Sequence, residues 1–127
     1  MTQEEIINYN RNCVEFLGYT TPHPNFPTAT YWYKEGKPPL ALLSFHRYWN
    51  WIMEVVEAIE KTYSNFHGYF GVFINPNGCT IQGTKLRTNP ENPHYAYYNE
   101  VILTDKKESV VEAINQFLTW YKNNKIN

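Results

Sequence analysis

Ser44 to Tyr63, SFHRYWNWIMEVVEAIEKTY, is the stretch whose reading decides the fold. Its apolar residues, Phe45, Tyr48, Trp49, Ile52, Met53, Val55, Val56, Ile59 and Tyr63, recur at the three-and-four spacing of one helical face. No Gly or Pro interrupts the run, and Ser44 is a residue type that accepts a hydrogen bond from an orphan amide at a helix start. The stretch therefore predicts a central helix with Trp49 buried on its main face and Trp51 off that stripe. Two tryptophans and two tyrosines on one helix supply a large apolar area, so the rest of the domain is expected to pack around it.

Outward toward the N-terminus, Thr2 and Glu5 form a capping-box pair that opens a helix through Leu17. Ile6, Tyr9, Cys13, Phe16 and Leu17 make its stripe, and Gly18 is placed to end it in the left-handed conformation. Tyr19 to Thr30 holds three prolines and reads as an extended surface connection. Thr30 to Lys34, TYWYK, has strand propensity before the break at GKPP.

On the C-terminal side, Ser64 to Gly68 reads as a polar turn. GYFGVFI and CTIQGT then flank Asn75-Pro76-Asn77-Gly78, a hairpin in which Asn77-Gly78 tolerates positive φ. Lys85 to His94 is a second proline-punctuated loop, and Tyr95 to Thr104 a third strand. Asp105 with Glu108 opens a last helix to about Lys122, with Val110, Val111, Ile114, Phe117, Leu118 and Tyr121 as its buried stripe. Consecutive strands joined by short turns predict an α+β fold in one domain over residues 1–127. It is expected to be an antiparallel sheet of three to four strands packed by three helices, a helix–sheet–helix sandwich.

A chain of 127 residues is long enough to bury a core without staples. A formal net charge of −1 provides no global field toward nucleic acid or anionic lipid, so no long nucleic acid is expected as a partner. The N-terminus lacks the basic and apolar regions of a signal peptide, and no apolar run approaches the ~20 residues that span a bilayer. No membrane partner is expected, and the protein reads as cytoplasmic. Cys13 and Cys79 stand far apart outside any CxxC pattern, which reads as two buried free thiols. Aromatic residues make up 17% of the chain, about twice an average domain's share, enough to fill a core, cover an interface or stack on a ligand.

Catalytic and metal signatures do not emerge: there is no GxSxG, P-loop, HExxH or GxGxxG, and no two histidines lie at metal-ligand spacing. No catalytic residue, metal or cofactor is expected, and the chain reads as non-enzymatic. Candidate ligand-binding residues fall in two groups. His46, Arg47 and Asn50 open the central helix, where they either meet an anion or form an exposed polar turn, and Trp51 faces a partner, a ligand or a second packing surface. Lys85 and Arg87 stand before Tyr97, and cations beside rings suit a ligand carrying phosphate and base.

Three segments carry a resemblance. FHRYWNWIMEVVEAIEK, Phe45 to Lys61, resembles the WNW-containing stretch of small uncharacterised bacteriophage and prophage proteins. ESVVEAINQFLTWYK, Glu108 to Lys122, is similar to their closing helix, and YNRNCVEFLGY, Tyr9 to Tyr19, to their opening segment. These proteins carry the phage ABA-sandwich domain, an α/β/α arrangement. The resemblance implies that fold and a phage origin, and no catalytic residue. Together these readings lead to an accessory binding protein of the infected bacterial cytoplasm, acting in counter-defence on a nucleotide-type immune signal or a host defence protein. The alternative is a structural or regulatory interaction protein that forms a homo-oligomer through aromatic surfaces, and a nucleotide-acting enzyme is the third reading.

Overall fold

The structure, a computed structural model, describes residues 1–22, 31–64, 67–84 and 97–124. Its elements run α1 (Gln3–Phe16), α2 (Trp49–Glu60), β1 (Tyr63–Ser64), β2 (Gly68–Asn75), β3 (Gly78–Gly83), β4 (Tyr98–Ile102) and α3 (Lys106–Asn123). The class is α+β, with three helices and a four-stranded antiparallel sheet in the order β1-β2-β3-β4. Contacts gather into two compact units, Met1–Val55 and Val56–Asn127, and α2 is continuous through the division.

In the first unit, both ends of α1 are set by local chemistry. Thr2 Oγ1 accepts from the Glu5 amide at 3.1 Å, and Glu5 Oε1 accepts from the Thr2 amide at 3.1 Å, the reciprocal box expected from the sequence. At the other end Gly18 adopts φ +92°, so the Gly18 amide reaches the Glu15 carbonyl and the Tyr19 amide the Val14 carbonyl. That pair of bonds is a Schellman motif. α1 has no basic residue in its last turn; Lys34 supplies one from outside, its Nζ donating to the Leu17 carbonyl at 2.7 Å.

Around α1 the chain forms two isolated antiparallel bridges, Thr20 with Tyr33 and Trp32 with Leu40. Of TYWYK, Trp32 and Tyr33 are bridged and residues 31–34 make no full strand, while Thr30 lies outside the described residues. Trp32 is buried between exposed Tyr31 and Tyr33, with the Arg11 guanidinium 5.9 Å from its ring centroid.

The central helix differs from its expected bounds. It starts at Trp49, and Ser44 is not its N-cap: the Ser44 hydroxyl donates to the Leu42 carbonyl, and Phe45 to Arg47 form a turn. The cause lies far away in sequence. Asn10 Oδ1 accepts from the Phe45 amide at 2.7 Å, and Tyr9 Oη donates to the Phe45 carbonyl at 3.1 Å. Residue 45 is thereby held by α1, and the first helical bonds of α2 go to the Tyr48 carbonyl. The buried positions of α2 are Ile52, Val55, Val56 and Ile59, whereas Trp49 is 39% exposed and Tyr48 and Met53 are also exposed. Trp51, expected off the stripe, packs edge-on against buried Phe45 with ring centroids 4.9 Å apart.

The second unit is built on the hairpin. β2 and β3 pair from Phe70–Gly83 to Asn75–Gly78, so Pro76 and Asn77 make a two-residue turn. Asn77-Gly78 tolerates positive φ, but the turn does not use that freedom: neither residue is among those with positive φ. β4 extends the sheet through pairs from Gly78–Ile102 to Gln82–Tyr98, and β1 adds a two-residue edge, its Tyr63 standing where the central helix was expected to end and its Ser64 where the polar turn was expected to begin.

α3 packs on β2, β3 and β4. Asp105 is its N-cap, the carboxylate accepting from the Lys107 amide rather than completing a box through Glu108. Ser109, fully buried, ties the strand end to the helix: it accepts from the Leu103 amide and donates to the Asp105 carbonyl.

Antiparallel pairing puts paired residues on the same face. One face holds Phe70, Val72, Ile74, Cys79, Ile81, Asn99 and Val101. The buried members of that set and the buried α3 residues Val110, Ala113, Ile114, Phe117 and Leu118 form the core of this unit.

Candidate functional site

The residues singled out in the sequence do different jobs in the structure. His46 turns toward α1. Asn10 Oδ1 is committed to the Phe45 amide and its Nδ2 donates to the Ile6 carbonyl, so the amide orientation is set. The same Nδ2 lies 2.9 Å from His46 Nδ1, which makes Nδ1 the acceptor and leaves the ring proton on Nε2. Burial lowers the His46 pKa, and the neighbouring Arg47 charge adds to that effect. At neutral pH the group is therefore an uncharged structural imidazole. Arg47 is exposed, with its guanidinium carbon 5.6 Å from the Tyr48 ring centroid. Asn50 is exposed in the first turn of α2, and Trp51 is taken up by Phe45. Lys85 and Arg87 lie outside the described residues.

Tyr97 belongs to the second unit. Its ring lies 4.3 Å from that of Trp120 and 5.3 Å from that of Phe117, and Phe70 joins the same cluster. Asn99 Nδ2 donates to its hydroxyl at 2.7 Å. Burial pushes the phenol up to about 12, with the Asn99 hydrogen bond acting the other way. Buried His67 sits beside this cluster, its ring edge-on to Trp120 at 5.2 Å, and His67 Nδ1 accepts from the Tyr97 amide at 2.9 Å.

Both cysteines are free and buried, as read from the sequence. Burial raises the Cys13 thiol pKa and pushes that of Cys79 up to about 11, so neither is a ready nucleophile. Among the described residues no three His, Cys, Asp or Glu side chains gather as metal ligands, and no helix is long and apolar enough to cross a membrane.

The surface that the sequence reading missed is the sheet face turned away from α3. Its residues are Tyr63 on β1; Tyr69, Gly71, Phe73 and Asn75 on β2; Gly78, Thr80 and Gln82 on β3; and Tyr98, Glu100 and Ile102 on β4. Five of them are large and at least half in water: Tyr63 51%, Tyr69 53%, Phe73 50%, Tyr98 60% and Ile102 67%. Side chains of this kind carry ~200 Å² each, so these five expose on the order of 500 Å², the upper range for a monomer's largest apolar patch.

Glu100 is the one carboxylate or cationic side chain in the set, and Tyr98 Oη donates to it at 3.4 Å. The rings are ordered: Tyr63 and Tyr69 meet edge-on with centroids 5.1 Å apart. Phe73 leans back along its strand so far that a Cβ on Gly71 would lie 2.9 Å from Phe73 Cε2. The sequence signal for this face is the pair Thr80 and Gln82. They mark one side of β3 as polar, and everything opposite them in register shares that side.

No family model, curated protein or solved structure matches this chain.

Proposed function

We propose that the chain is a non-enzymatic binding protein whose working surface is the open face of the sheet, and that it takes a protein partner there. The observation that carries this reading is the set of five half-exposed apolar side chains spread over β1, β2 and β4, with Glu100 as the one charge among them. Aromatic residues on a charge-poor surface match the centre of a protein interface. A ligand rich in phosphate needs cations, and the described residues of this face supply none.

The cellular role that fits is counter-defence in an infected bacterium, by blocking a host defence protein. The likeness of Phe45–Lys61 and Glu108–Lys122 to small phage and prophage proteins supports it. The test is phage plating on bacteria that carry defined defence systems and express the chain. The parent protein should restore plating on at least one system, and the Tyr69→Ser, Phe73→Ser double variant should lose that effect while remaining folded. Failure of the parent on every system sinks counter-defence, and restoration by the double variant moves the working surface elsewhere.

A second reading, capture of a nucleotide-type signal, draws on the first unit. Arg47 stacked over exposed Tyr48, next to exposed Trp49, is a cation beside rings. Calorimetry with cyclic and linear nucleotides should then give binding that weakens by about 1.5–3 kcal/mol in Arg47→Ala, the scale of a charge-assisted hydrogen bond. No heat with any nucleotide removes this reading.

A further inference from the structure

We infer that the occupant of the open sheet face is a second copy of this chain, forming an isologous dimer sheet against sheet. The inference rests on the reading of that face as a protein-binding surface and names what covers it in the free protein, where a host protein would have to displace it.

Three properties of the face point to self-association. The first is area. About 500 Å² from five side chains on each copy gives roughly 1,000 Å² from both, the size a specific interface has to reach. Thr80, Gln82 and Asn75 on the same face add to it.

The second is the kind of polarity present. Across a two-fold axis residue i meets residue j and j meets i, with only groups on the axis meeting their own copies. The face therefore has to be complementary to itself, and a face of donors alone or of one charge sign would not be. Thr80, Gln82, Asn75 and the hydroxyls of Tyr63, Tyr69 and Tyr98 each carry both a donor and an acceptor, and so satisfy themselves. Glu100, the exception, lies on β4 at the edge of the sheet order and already accepts from Tyr98. It falls at the polar rim, where a charge stays hydrated.

The third is relief. Phe73 lies back over Gly71 rather than standing off the strand, which keeps the middle of the face low. Facing sheets pack ~10 Å apart with strands nearly aligned, and a low, laterally packed aromatic surface meets that spacing.

Sedimentation equilibrium on the full chain tests the inference. The parent protein should have twice the 15.1 kDa chain mass at high micromolar concentration. Phe73→Glu and, in case that variant unfolds, Tyr69→Glu on inner strand β2 should give single-chain mass with an unchanged circular dichroism spectrum. Tyr31→Glu, an exposed ring in the other unit, should leave the dimer intact.

The isologous arrangement has its own readout. Gln82 stands on β3, an inner strand of the sheet, and with the two-fold axis placed there Gln82→Lys and Gln82→Glu should each raise the dissociation constant by roughly tenfold or more, through like charge across the axis, and mixing them should restore association. A parent of single-chain mass overturns the inference, as does a dimer that survives both face variants or a mixture that fails to recover. If the parent is monomeric yet loss of Tyr69 and Phe73 abolishes its effect on plating, the working-surface reading stands and the self-association falls alone.

Discussion

The side-chain amide of Asn99 on β4 donates to the backbone carbonyl of Ala113 on α3 at 3.1 Å, joining helix to sheet through the middle of an apolar core. The same nitrogen donates to the Tyr97 hydroxyl, and Asn99 Oδ1 accepts from the Ile81 amide at 3.2 Å. One buried asparagine thus serves two strands and a helix. Its loss strands the Ile81 donor in an apolar setting, which is the expensive half of the change. Asn99→Ala should lower stability by about 2–3 kcal/mol, read as a fall in the urea midpoint with little change in slope. A midpoint equal to the parent's would mean that water replaces all three bonds.

Burial separates two aromatic residues that the sequence ranks alike. Phe117 is fully buried and touches Phe70, Tyr97 and Trp120, whereas Trp49 is 39% exposed. Phe117→Ala should cost about 3–5 kcal/mol, as a cavity in a packed core does. Trp49→Ala should cost at most about half as much, since part of its area is already in water. Denaturant curves for the two variants check the order, and a larger loss at Trp49 would reverse the assignment of the helix face.

The features legible in the sequence are those whose causes are local. Thr2, Glu5 and Gly18 set both ends of α1 with bonds that span only a few residues, and Asn75 to Gly78 closes a hairpin that needs no distant partner. The start of α2 is not local. Ser44 has the chemistry of a cap, but the next residue's amide is held by Asn10, 35 positions away in the chain. The apolar stripe on α2 is also wide: Trp49 and Met53 flank one side of Ile52, and Tyr48 and Trp51 the other, so periodicity alone does not choose the buried side.

The sheet face was hidden for a related reason. In β2 both alternating sets are apolar, Phe70, Val72 and Ile74 against Tyr69 and Phe73, and the strand read alone has no preferred side. Thr80 and Gln82 resolve it only once the register ties them to Phe73, Gly71 and Tyr98.

Gly83 marks a close approach between backbone segments. A Cβ placed there would lie 2.8 Å from His67 Cβ and 2.9 Å from the His67 carbonyl oxygen, and backbone cannot swing aside as a long side chain does. The Gly83 amide also donates to the Tyr97 carbonyl, while the Tyr97 amide donates to His67 Nδ1. Gly83→Ala should therefore push on three segments at once and cost about 1–3 kcal/mol, the range for overpacking. Thermal melts give the comparison. A variant as stable as the parent would show that the β3 end moves freely away from His67.

The last expectation concerns acid. His46 has a pKa below the ordinary imidazole value, because burial disfavours the cation first and the Arg47 charge second. Its Nδ1 also accepts from Asn10 Nδ2, and protonation there would set two donors against each other. The unfolded chain, where the imidazole has its ordinary pKa of about 6.5, binds this proton more readily than the folded one. Stability from this group is therefore complete above the unfolded value and is lost as pH falls below it toward the folded value, after which the loss levels off. Urea midpoints for the parent should drop between pH 7.5 and 5.5, in a range of about one unit either side of the unfolded value. His46→Gln, which keeps an acceptor for Asn10 and cannot titrate, should show a smaller drop over the same interval. Parallel curves for the two proteins would mean that other groups, and not His46, set the acid sensitivity.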